Sequence, residues 1–453
     1  MGSTLNKPEV RKVDNFINMI KDSGVVGAGG AGFPTHVKFD TKADFVIVNG
    51  AECEPLLRVD QILMDIEADK ILFALDQCVK HVGAKEGIIG LKNKYAKAIS
   101  SLTKALEKYP NLRIHLLDNV YPAGDEQYLV YVVTGRIVPE GGIPIMVGTI
   151  VTNVETLLNI YNGIHNIPVT EKYLTIAGAV KNPITIKVPL GISVREVIHL
   201  AGGPVYEKYK VIDGGPMMGK ILESIDDPVK KTSKGYIVLP ETHPLIKNKE
   251  KKVSRVLKEA QTACCHCDLC TDVCPRYLLG HKLHPSKLMR ISSYGSLGDG
   301  NATLDEAFLC CECGLCEQAC IMNLQPWKVN INIKKQLTEM GIKNQNNRKP
   351  TEVNPFFKYR GFPVKKLIYR IELDQYDVQA PLTETDVIFK EVTIVNKQHI
   401  GAPSVLWVKE GEMVTKGQLI FRAKDHALGA NIHSSISGIV LKACDGKVII
   451  KCT

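Results

Sequence analysis

The chain has 453 residues, of which 45% are hydrophobic and 23% charged, and its formal net charge is +9. This length exceeds one ordinary domain, so about two to four domains are expected. No uninterrupted apolar run reaches about 18 residues, which excludes a membrane-spanning helix, and the first residues lack the apolar core of a secretion signal. We therefore expect a cytoplasmic protein without a nucleic-acid partner, since the positive charge is dispersed.

The first part of the chain is predicted to form a helix followed by an α/β layer. Residues 1–22 are predicted to be an amphipathic helix with its apolar positions at Val10, Val13, Phe16, Ile17 and Ile20. Strand-like and helix-like segments then alternate through residues 23–168, with a helix expected over residues 63–83. Such alternation is typical of an α/β domain.

A glycine-rich loop opens this layer, and Gly27, Gly29 and Gly32 fit the pattern G-x-G-x-x-G. A dinucleotide-binding fingerprint needs a strand before the glycines and a helix after them. Here a helix precedes and a phenylalanine–proline pair follows, so that interpretation fails. The loop still offers backbone N–H groups, with Lys38 close behind to face an anion. A purely structural glycine turn is the alternative.

Four further units follow in chain order. Residues 169–246 show strand, turn, strand, helix and strand, which indicates a small α+β module of β-grasp type. A helical domain that carries the cysteines is expected over residues 247–340. Residues 341–390 are polar and basic and are predicted to be a linker, while residues 391–453 consist of short strands and glycine turns. The predicted fold is therefore multidomain, mixed α/β and α+β with an all-β end.

Ten of the 14 cysteines fall within residues 264–320 and form two repeats of C-x2-C-x2-C-x3-C. The predicted ligands are Cys264, Cys267, Cys270 and Cys274 in the first repeat, and Cys310, Cys313, Cys316 and Cys320 in the second. This spacing is typical of two 4Fe–4S clusters, in which the fourth cysteine of each repeat binds the other cluster. Two zinc sites or unreactive buried thiols are the alternatives.

Iron–sulfur clusters carry single electrons, whereas hydride donors deliver two. A flavin is the usual converter between them. The chemistry of the cysteine repeats therefore predicts a flavin near the glycine loop, with no side-chain nucleophile or general base.

Several motifs resemble the flavin- and NADH-binding subunit of respiratory complex I and the C subunit of the Rnf complex. They are "GAGGAGFPTHVKF" (27–39), "NGAECEP" (49–55), "YPAGDEQYL" (121–129) and "TNVETLLN" (152–159). The resemblance implies a complex I-like domain that binds FMN and NADH in residues 23–168. It implies that the cofactor-binding residues are Gly27, Gly29, Gly30, Gly32, Phe33, Lys38, Asn49, Glu52, Glu54, Gly124, Asp125, Glu126, Asn153, Glu155 and Thr156.

The later segments resemble modules found in the same proteins. Residues 172–219 are similar to a β-grasp soluble-ligand-binding module, and residues 391–453 resemble a barrel-sandwich domain. In the Rnf protein the barrel-sandwich module lies at the N-terminus. Its place after the cysteines here is similar to the cobalamin reductases of propanediol-utilisation microcompartments.

This second resemblance implies electron transfer from NADH through FMN and two clusters to a corrinoid. The implied partners are a corrinoid adenosyltransferase or another acceptor protein, and shell proteins if the chain lies inside a microcompartment. Deletion of residues 391–453 is expected to harm assembly or docking more than reduction of the flavin by NADH. An Rnf-like carrier that links NADH with ferredoxin, flavodoxin or an amino-acid reductase is one alternative, and a non-catalytic electron relay is another.

Overall fold

A computed structural model describes residues 16–294, 304–384, 387, 389–444 and 446–453. Its first element is helix α1 (Phe16–Asp22), which buries Phe16, Met19 and Ile20. The predicted helix positions Val10 and Val13 lie outside the described residues.

A parallel-sheet domain follows, with four parallel strands in the order β3-β2-β1-β5. Strand β1, "FVIVNG", is apolar on both faces, as expected for a strand covered by helices on both sides. The elements are α2 (Thr35–Phe39), β1 (Phe45–Gly50), α3 (Val59–Ile66), α4 (Ala68–Val82), β2 (Glu86–Lys92), α5 (Ala96–Leu106), β3 (Leu112–Leu117), β4 (Val120–Tyr121), α6 (Glu126–Thr134), a 3-10 turn (Pro144–Val147), β5 (Thr149–Asn153) and α7 (Val154–Ile164).

One predicted helix of this domain is divided in two. Residues 63–83 do not form one helix, because Glu67 leaves the helical conformation with φ −120° and ψ 23°. Helix α3 ends there and α4 begins at the next residue, so the chain turns between two amphipathic helices.

The β-grasp module forms a mixed six-stranded sheet in the order β12-β7-β6-β10-β8-β9. Its helix begins with a capping box, in which Ser193 and Glu196 each bond the other's backbone N–H. The elements are β6 (Glu171–Gly178), β7 (Ile184–Pro189), α8 (Val194–Leu200), β8 (Tyr209–Asp213), β9 (Lys220–Ile221), β10 (Gly235–Pro240) and the later β12 (Leu382–Thr383).

The cysteine domain is a set of short helices in which the two repeats share one backbone pattern. His266 and Asp268 have positive φ, and so do their counterparts Glu312 and Gly314. Each pair turns the chain tightly between successive cysteines. The helices are α9 (Pro244–Glu250), α10 (Val253–Ala263), α11 (Leu269–Asp272), α12 (Pro275–Leu278), α13 (Pro285–Tyr294), a 3-10 turn (Asp305–Leu309), α14 (Leu315–Ala319) and α15 (Pro326–Glu339).

The segment predicted as a basic linker, residues 341–390, is built into its neighbours. Strand β11 (Phe362–Pro363) pairs with β4, helix α16 (Val364–Arg370) buries Leu367, and a 3-10 turn (Asp374–Tyr376) leads to β12, the edge strand of the β-grasp sheet. Its apolar residues, rather than its charges, decide this placement.

The barrel-sandwich domain closes the fold with two small antiparallel sheets, β13-β19-β18-β15 and β14-β16-β17. One buried apolar cluster runs through three units and includes Val48, Ile186 and Ile394. The strands are β13 (Glu391–Val395), β14 (Val405–Leu406), β15 (Met413–Val414), β16 (Leu419–Arg422), β17 (Ile432–His433), β18 (Gly438–Cys444) and β19 (Lys447–Cys452).

Candidate functional site

The glycine loop (residues 24–34) lies between α1 and α2. The N–H of Gly27 donates to the carbonyl of Phe33 at 2.9 Å, which closes the base of the loop. Its tip, at Gly29 and Gly30, is exposed.

The tip is suited to an anionic ligand. Within the described part of the chain, the N–H groups of Gly29, Gly30 and Ala31 make no hydrogen bond to protein. Gly30 has φ +113°, and a β carbon there would meet open space. Free backbone donors around a concave turn are what a phosphate group requires, so these residues fit a nucleotide phosphate.

The first residues of helix α7 contact the glycine loop. The N–H of Ala28 donates to Oγ1 of buried Thr156 at 2.9 Å. The side chain of Asn153 caps α7 by accepting from the N–H of Glu155 at 2.9 Å, and it lies beside Gly29. The structure therefore brings these two predicted segments together.

Lys38 and Glu126, both predicted cofactor residues, form an ion pair beside strand β5. Nζ of Lys38 lies 3.1 Å from Oε1 of Glu126 and also donates to the carbonyl of Val151 at 2.9 Å. Both side chains remain partly exposed, so they can still face a ligand.

Asn49 and Gly124 are joined at the carboxyl end of β1. The side-chain amide of Asn49 donates to the carbonyl of Gly124 at 2.8 Å. A β carbon on Gly124 would lie 3.1 Å from both Oδ1 of Asn49 and Sγ of Cys53, so this turn has little room for any larger residue.

Asp125 links this turn to the cysteine domain. Its carboxylate caps α6 by accepting from the N–H of Tyr128 at 3.0 Å, and it forms a two-point pair with Arg276, one bond of 2.8 Å. Burial opposes the charge, but Arg276 outweighs it and holds the pKa of Asp125 below its ordinary value. Arg276 follows Cys274 by two residues. This pair therefore connects the turn at Gly124, on the flavin side (the predicted FMN-binding residues of the parallel-sheet domain), to a predicted cluster ligand.

Glu52 closes the first turn of α3. It has φ 38°, an uncommon conformation for a residue with a β carbon. Its carboxylate accepts from the N–H groups of Asp60 at 2.8 Å and Gln61 at 3.3 Å. Burial and the neighbouring charge of Asp60 raise the pKa of Glu52 to about 7, against the opposing effect of Lys234.

A cluster of buried charged side chains lies next to the glycine loop. It consists of Glu52, Asp60, Glu155, Lys172 and Lys234. Lys172 contacts Glu155 at 2.5 Å, and Lys234 contacts Asp60 at 2.5 Å and Glu155 at 3.6 Å. Burial lowers the pKa of Lys172, whereas the three carboxylates outweigh burial and raise the pKa of Lys234. Buried charges of this kind are retained only when paired.

Sequence reasoning identified Glu52 and Glu155 but missed Asp60 and both lysines. A signal was present, because Lys172 and Lys234 lie at the beginning of segments that are mostly apolar, in strand β6 and just before strand β10. Lys172 also donates to the carbonyl of Ala28 at 3.2 Å, so the charge cluster contacts the glycine loop directly.

Glu54 binds the β-grasp module. Its carboxylate accepts from the N–H groups of Met217 at 2.8 Å and Met218 at 2.9 Å. A β carbon on Gly215 would lie 2.2 Å from Oε2 of Glu54, so the approach of this loop requires glycine.

The first cysteine site gathers thiols from both repeats. The predicted ligands Cys264, Cys267, Cys270 and Cys320 line one open cavity, together with the additional thiol of Cys265. Burial raises the pKa of Cys270 to about 12, and the neighbouring Cys320, Cys267 and Cys264 add to the rise. Cys320, the predicted fourth ligand of the second repeat, therefore lies beside cysteines of the first repeat.

The second cysteine site is more enclosed and lies against the parallel-sheet domain. Burial raises the pKa of the Cys316 thiol well above its ordinary value, and the nearby Cys310, Cys270 and Cys274 contribute. The hydroxyl of Tyr121 donates to the carbonyl of Cys313 at 2.7 Å. Cys274, the predicted fourth ligand of the first repeat, lies near Cys311 and Cys310 of the second repeat.

The two groups of thiols fit iron–sulfur clusters. Four predicted ligands beside a cavity, with two sequence repeats interleaved, suit an iron–sulfur core. Iron would displace the thiol protons on binding.

Four family descriptions match successive parts of the chain. They are a Nuo51 FMN-binding domain (residues 20–162), an SLBB domain (173–220), a 4Fe-4S dicluster domain (263–325) and an RnfC barrel sandwich hybrid domain (378–449). The predicted fold class and the predicted cofactors, FMN and two 4Fe–4S clusters, are confirmed by these matches.

Among solved structures, an NAD+-reducing NiFe hydrogenase in its H2-reduced state has a TM-score of 0.49 and 20% identity, covering 75% of this chain and 64% of that one. That likeness is too weak to bear on fold or function. The described helices include none that is both long and apolar enough to cross a bilayer.

Comparison with individual proteins gives the same result as the domain matches. The cobalamin reductase PduS of Citrobacter freundii is 43% identical over 95% of this chain and 95% of its own. The PduS of Salmonella typhimurium is 42% identical over 97% of each chain. The C subunit of the Na+-translocating ferredoxin:NAD+ oxidoreductase complex of Acetobacterium woodii is 39% identical over 58% of each. Similarity at this level along nearly the whole length shows that the chain belongs to the PduS family of cobalamin reductases.

Proposed function

We propose that the protein takes electrons from NADH and delivers them singly to a corrinoid, which it reduces to cob(I)alamin. The observation that carries this proposal is that the flavin side is in direct contact with the second cysteine site. The contacts are the Asp125–Arg276 pair and the Tyr121–Cys313 hydrogen bond. Family membership over nearly the whole chain supports the choice of acceptor.

When bound, a flavin and iron–sulfur clusters supply the conversion of a hydride into single electrons and their transfer onward. The chain's own residues supply position. The N–H groups at the tip of the glycine loop would hold the flavin phosphate, while Asn49, Asn153 and Thr156 fix the surrounding turns. The eight cysteines of the two repeats would hold the clusters.

The two cysteine sites differ in exposure, which gives the path a direction. Cys313 and Cys316 are buried against the flavin side, whereas Cys267 is exposed. Electrons would therefore enter at the second site and leave from the first, where an acceptor can approach.

For the partner, we infer a corrinoid adenosyltransferase, with both proteins inside a propanediol-utilisation microcompartment. Capture of cob(I)alamin by the transferase would draw an otherwise unfavourable reduction forward.

An anaerobic coupled assay tests this function. With NADH, cob(II)alamin, ATP and the adenosyltransferase, we expect the protein to support formation of adenosylcobalamin. Ready reduction of ferredoxin or flavodoxin with no change in cobalamin would favour the Rnf-like carrier. Failure of NADH to bleach the flavin in a stopped-flow experiment would favour the relay that turns over no nucleotide.

A further inference from the structure

The shape of the glycine loop depends partly on residues outside the parallel-sheet domain. Bonds from Gly27 to Phe33 and from Gly32 to Gly27 close the base of the loop, and its tip is open. Both of its arms, at Gly24 and at Gly32, are also held by contacts from the β-grasp module and the barrel-sandwich domain.

The far arm is bonded to the barrel-sandwich domain. The N–H of Ile400 donates to the carbonyl of Gly32 at 3.0 Å. Gly32 has φ +68°, and a β carbon there would lie 2.6 Å from Cγ2 of Thr232 and 3.3 Å from Cα of His399. This arm is therefore fixed both by a hydrogen bond and by close packing.

The near arm is held through one buried lysine. Nζ of Lys231 donates to the carbonyl of Gly24 at 2.6 Å and to that of Asn431 at 2.7 Å, so it joins the loop to the barrel-sandwich domain. The N–H of Lys231 donates to Oε1 of Gln398 at 3.0 Å, and both side chains are 2% exposed. Buried donors in such positions cost stability when their partners are lost.

The contacting segment of the barrel-sandwich domain is itself anchored. Nε2 of His399 lies 3.0 Å from Oγ of Ser404, which donates to the carbonyl of Ala430 at 2.8 Å. The segment that touches the loop is thus part of the domain's own hydrogen-bonded core.

We propose that the barrel-sandwich domain braces the glycine loop, with Lys231, Gln398 and Ile400 as positioning residues that hold both arms in the flavin-binding shape. This inference rests on the proposed function, since it requires that the flavin binds beside the loop. It gives the domain a direct part in flavin binding, beyond the expected service in assembly or docking.

Substitution of Lys231 in the full chain tests the brace. In Lys231→Met the dissociation constant for FMN, measured by flavin fluorescence after removal of the bound flavin, should rise about tenfold. Iron content and cluster absorbance should stay at wild-type values. Lys416→Met is the matched control. Lys416 of the barrel-sandwich domain pairs with Glu171 of the β-grasp module at 2.8 Å, so it joins the same two units as Lys231 but does not touch the loop. Wild-type FMN affinity in Lys231→Met would overturn the proposal.

Hydrogen exchange on the unaltered protein gives a second test that does not depend on the variant folding. FMN should slow amide exchange in residues 24–34 and also in residues 396–402. Slowing in residues 24–34 alone would contradict the brace but leave the proposed function standing. No slowing in either segment would instead contradict flavin binding, and with it the proposed function.

Discussion

Gly29 and Gly32, three residues apart in the loop, are glycine for different physical reasons. A β carbon on Gly29 would make only ordinary contact with Asn153, at 3.5 Å. At Gly32 the same atom would overlap Thr232 on a backbone of positive φ, which strains any other residue. The fold thus requires glycine at position 32, whereas position 29 must be small only because a ligand approaches it.

Two variants, each with one of these glycines replaced by valine, should distinguish the two roles. Gly29→Val should weaken FMN binding while the melting temperature of the flavin-free protein stays near wild type. Gly32→Val should lower that melting temperature by several degrees, since a strained and overlapping residue costs about 1–3 kcal/mol. Thermal melts and FMN titrations of both variants check this. Equal losses of stability would show that the loop does not distinguish the positions.

Lys231 also gives stability a pH dependence of known sign. Burial lowers its pKa in the folded chain to about 7, from an ordinary 10.5. Between these values the unfolded chain holds a proton that the folded chain has released. This lysine therefore makes the free energy of unfolding rise with pH over that interval.

Removal of the lysine should remove this slope. Relative to Lys231→Met, the wild-type melting temperature should increase between a pH of about 7 and about 9. Melts of both proteins across this interval measure the difference, with Lys416→Met as an exposed-lysine control. A difference that is constant with pH would contradict the expectation.

At the scale of elements, the two cysteine repeats are copies of one turn, and the last cysteine of each repeat lies near the other repeat. Helices α11 and α14 each follow a left-handed residue, Asp268 or Gly314, and each leads to a cysteine that faces the other repeat. The spacing of the cysteines predicts this exchange from sequence, because it depends on chemistry repeated within short segments.

Cysteine variants should therefore group by site and not by repeat. Cys267→Ser and Cys320→Ser should both damage the first site, and Cys313→Ser and Cys274→Ser the second, each lowering iron content from about eight toward about four. Electron paramagnetic resonance of the reduced proteins distinguishes the two remaining clusters. Cys444→Ser, outside both repeats, should keep all its iron. If Cys320→Ser instead gave the spectrum of Cys313→Ser, the crossing of ligands would be wrong.

Other elements could not be predicted because distant packing decides them. The break at Glu67 interrupts a helical pattern that local sequence supports. Strand β12 needs the edge of the β-grasp sheet as its partner, almost 200 residues earlier in the chain. A strand of only two residues, one of them polar, inside a polar and basic segment is predicted as part of a linker when that edge is not considered.

At the scale of the whole molecule, the domains are joined by polar contacts that converge on the predicted flavin site. Asp125 binds Arg276 of the cysteine domain, Glu54 binds Met217 of the β-grasp module, and Gly32 binds Ile400 of the barrel-sandwich domain. Sequence motifs identified the acidic residues of this set. Their partners lie in other domains, so no local pattern marks them as part of one site.

Loss of the Asp125–Arg276 pair should affect transfer between sites more than capture of electrons. In Arg276→Gln, Asp125 becomes a buried charge without its cation, which costs of order 3–5 kcal/mol. NADH should still bleach the flavin, but bleaching of the clusters should slow, because the two domains are less precisely held.

Stopped-flow spectroscopy at flavin and cluster wavelengths separates the two phases. Arg255→Gln is the matched control, since Arg255 forms an exposed ion pair with Glu259 at 2.9 Å within the single helix α10. Cluster bleaching in Arg276→Gln that matches the control would show that the pair does not position the sites.

The bond between Gly32 and Ile400 also has a consequence for biosynthesis. A ribosome completes the glycine loop several hundred residues before it makes the segment that contacts the loop's far arm. Domains generally fold as they emerge, N-terminal first. A nascent chain would therefore carry a folded parallel sheet but an unbraced loop, and it would bind flavin more weakly until the barrel-sandwich domain has been translated. Chains that stall or are cut before that point would need a higher FMN concentration than the full chain to fill the flavin site.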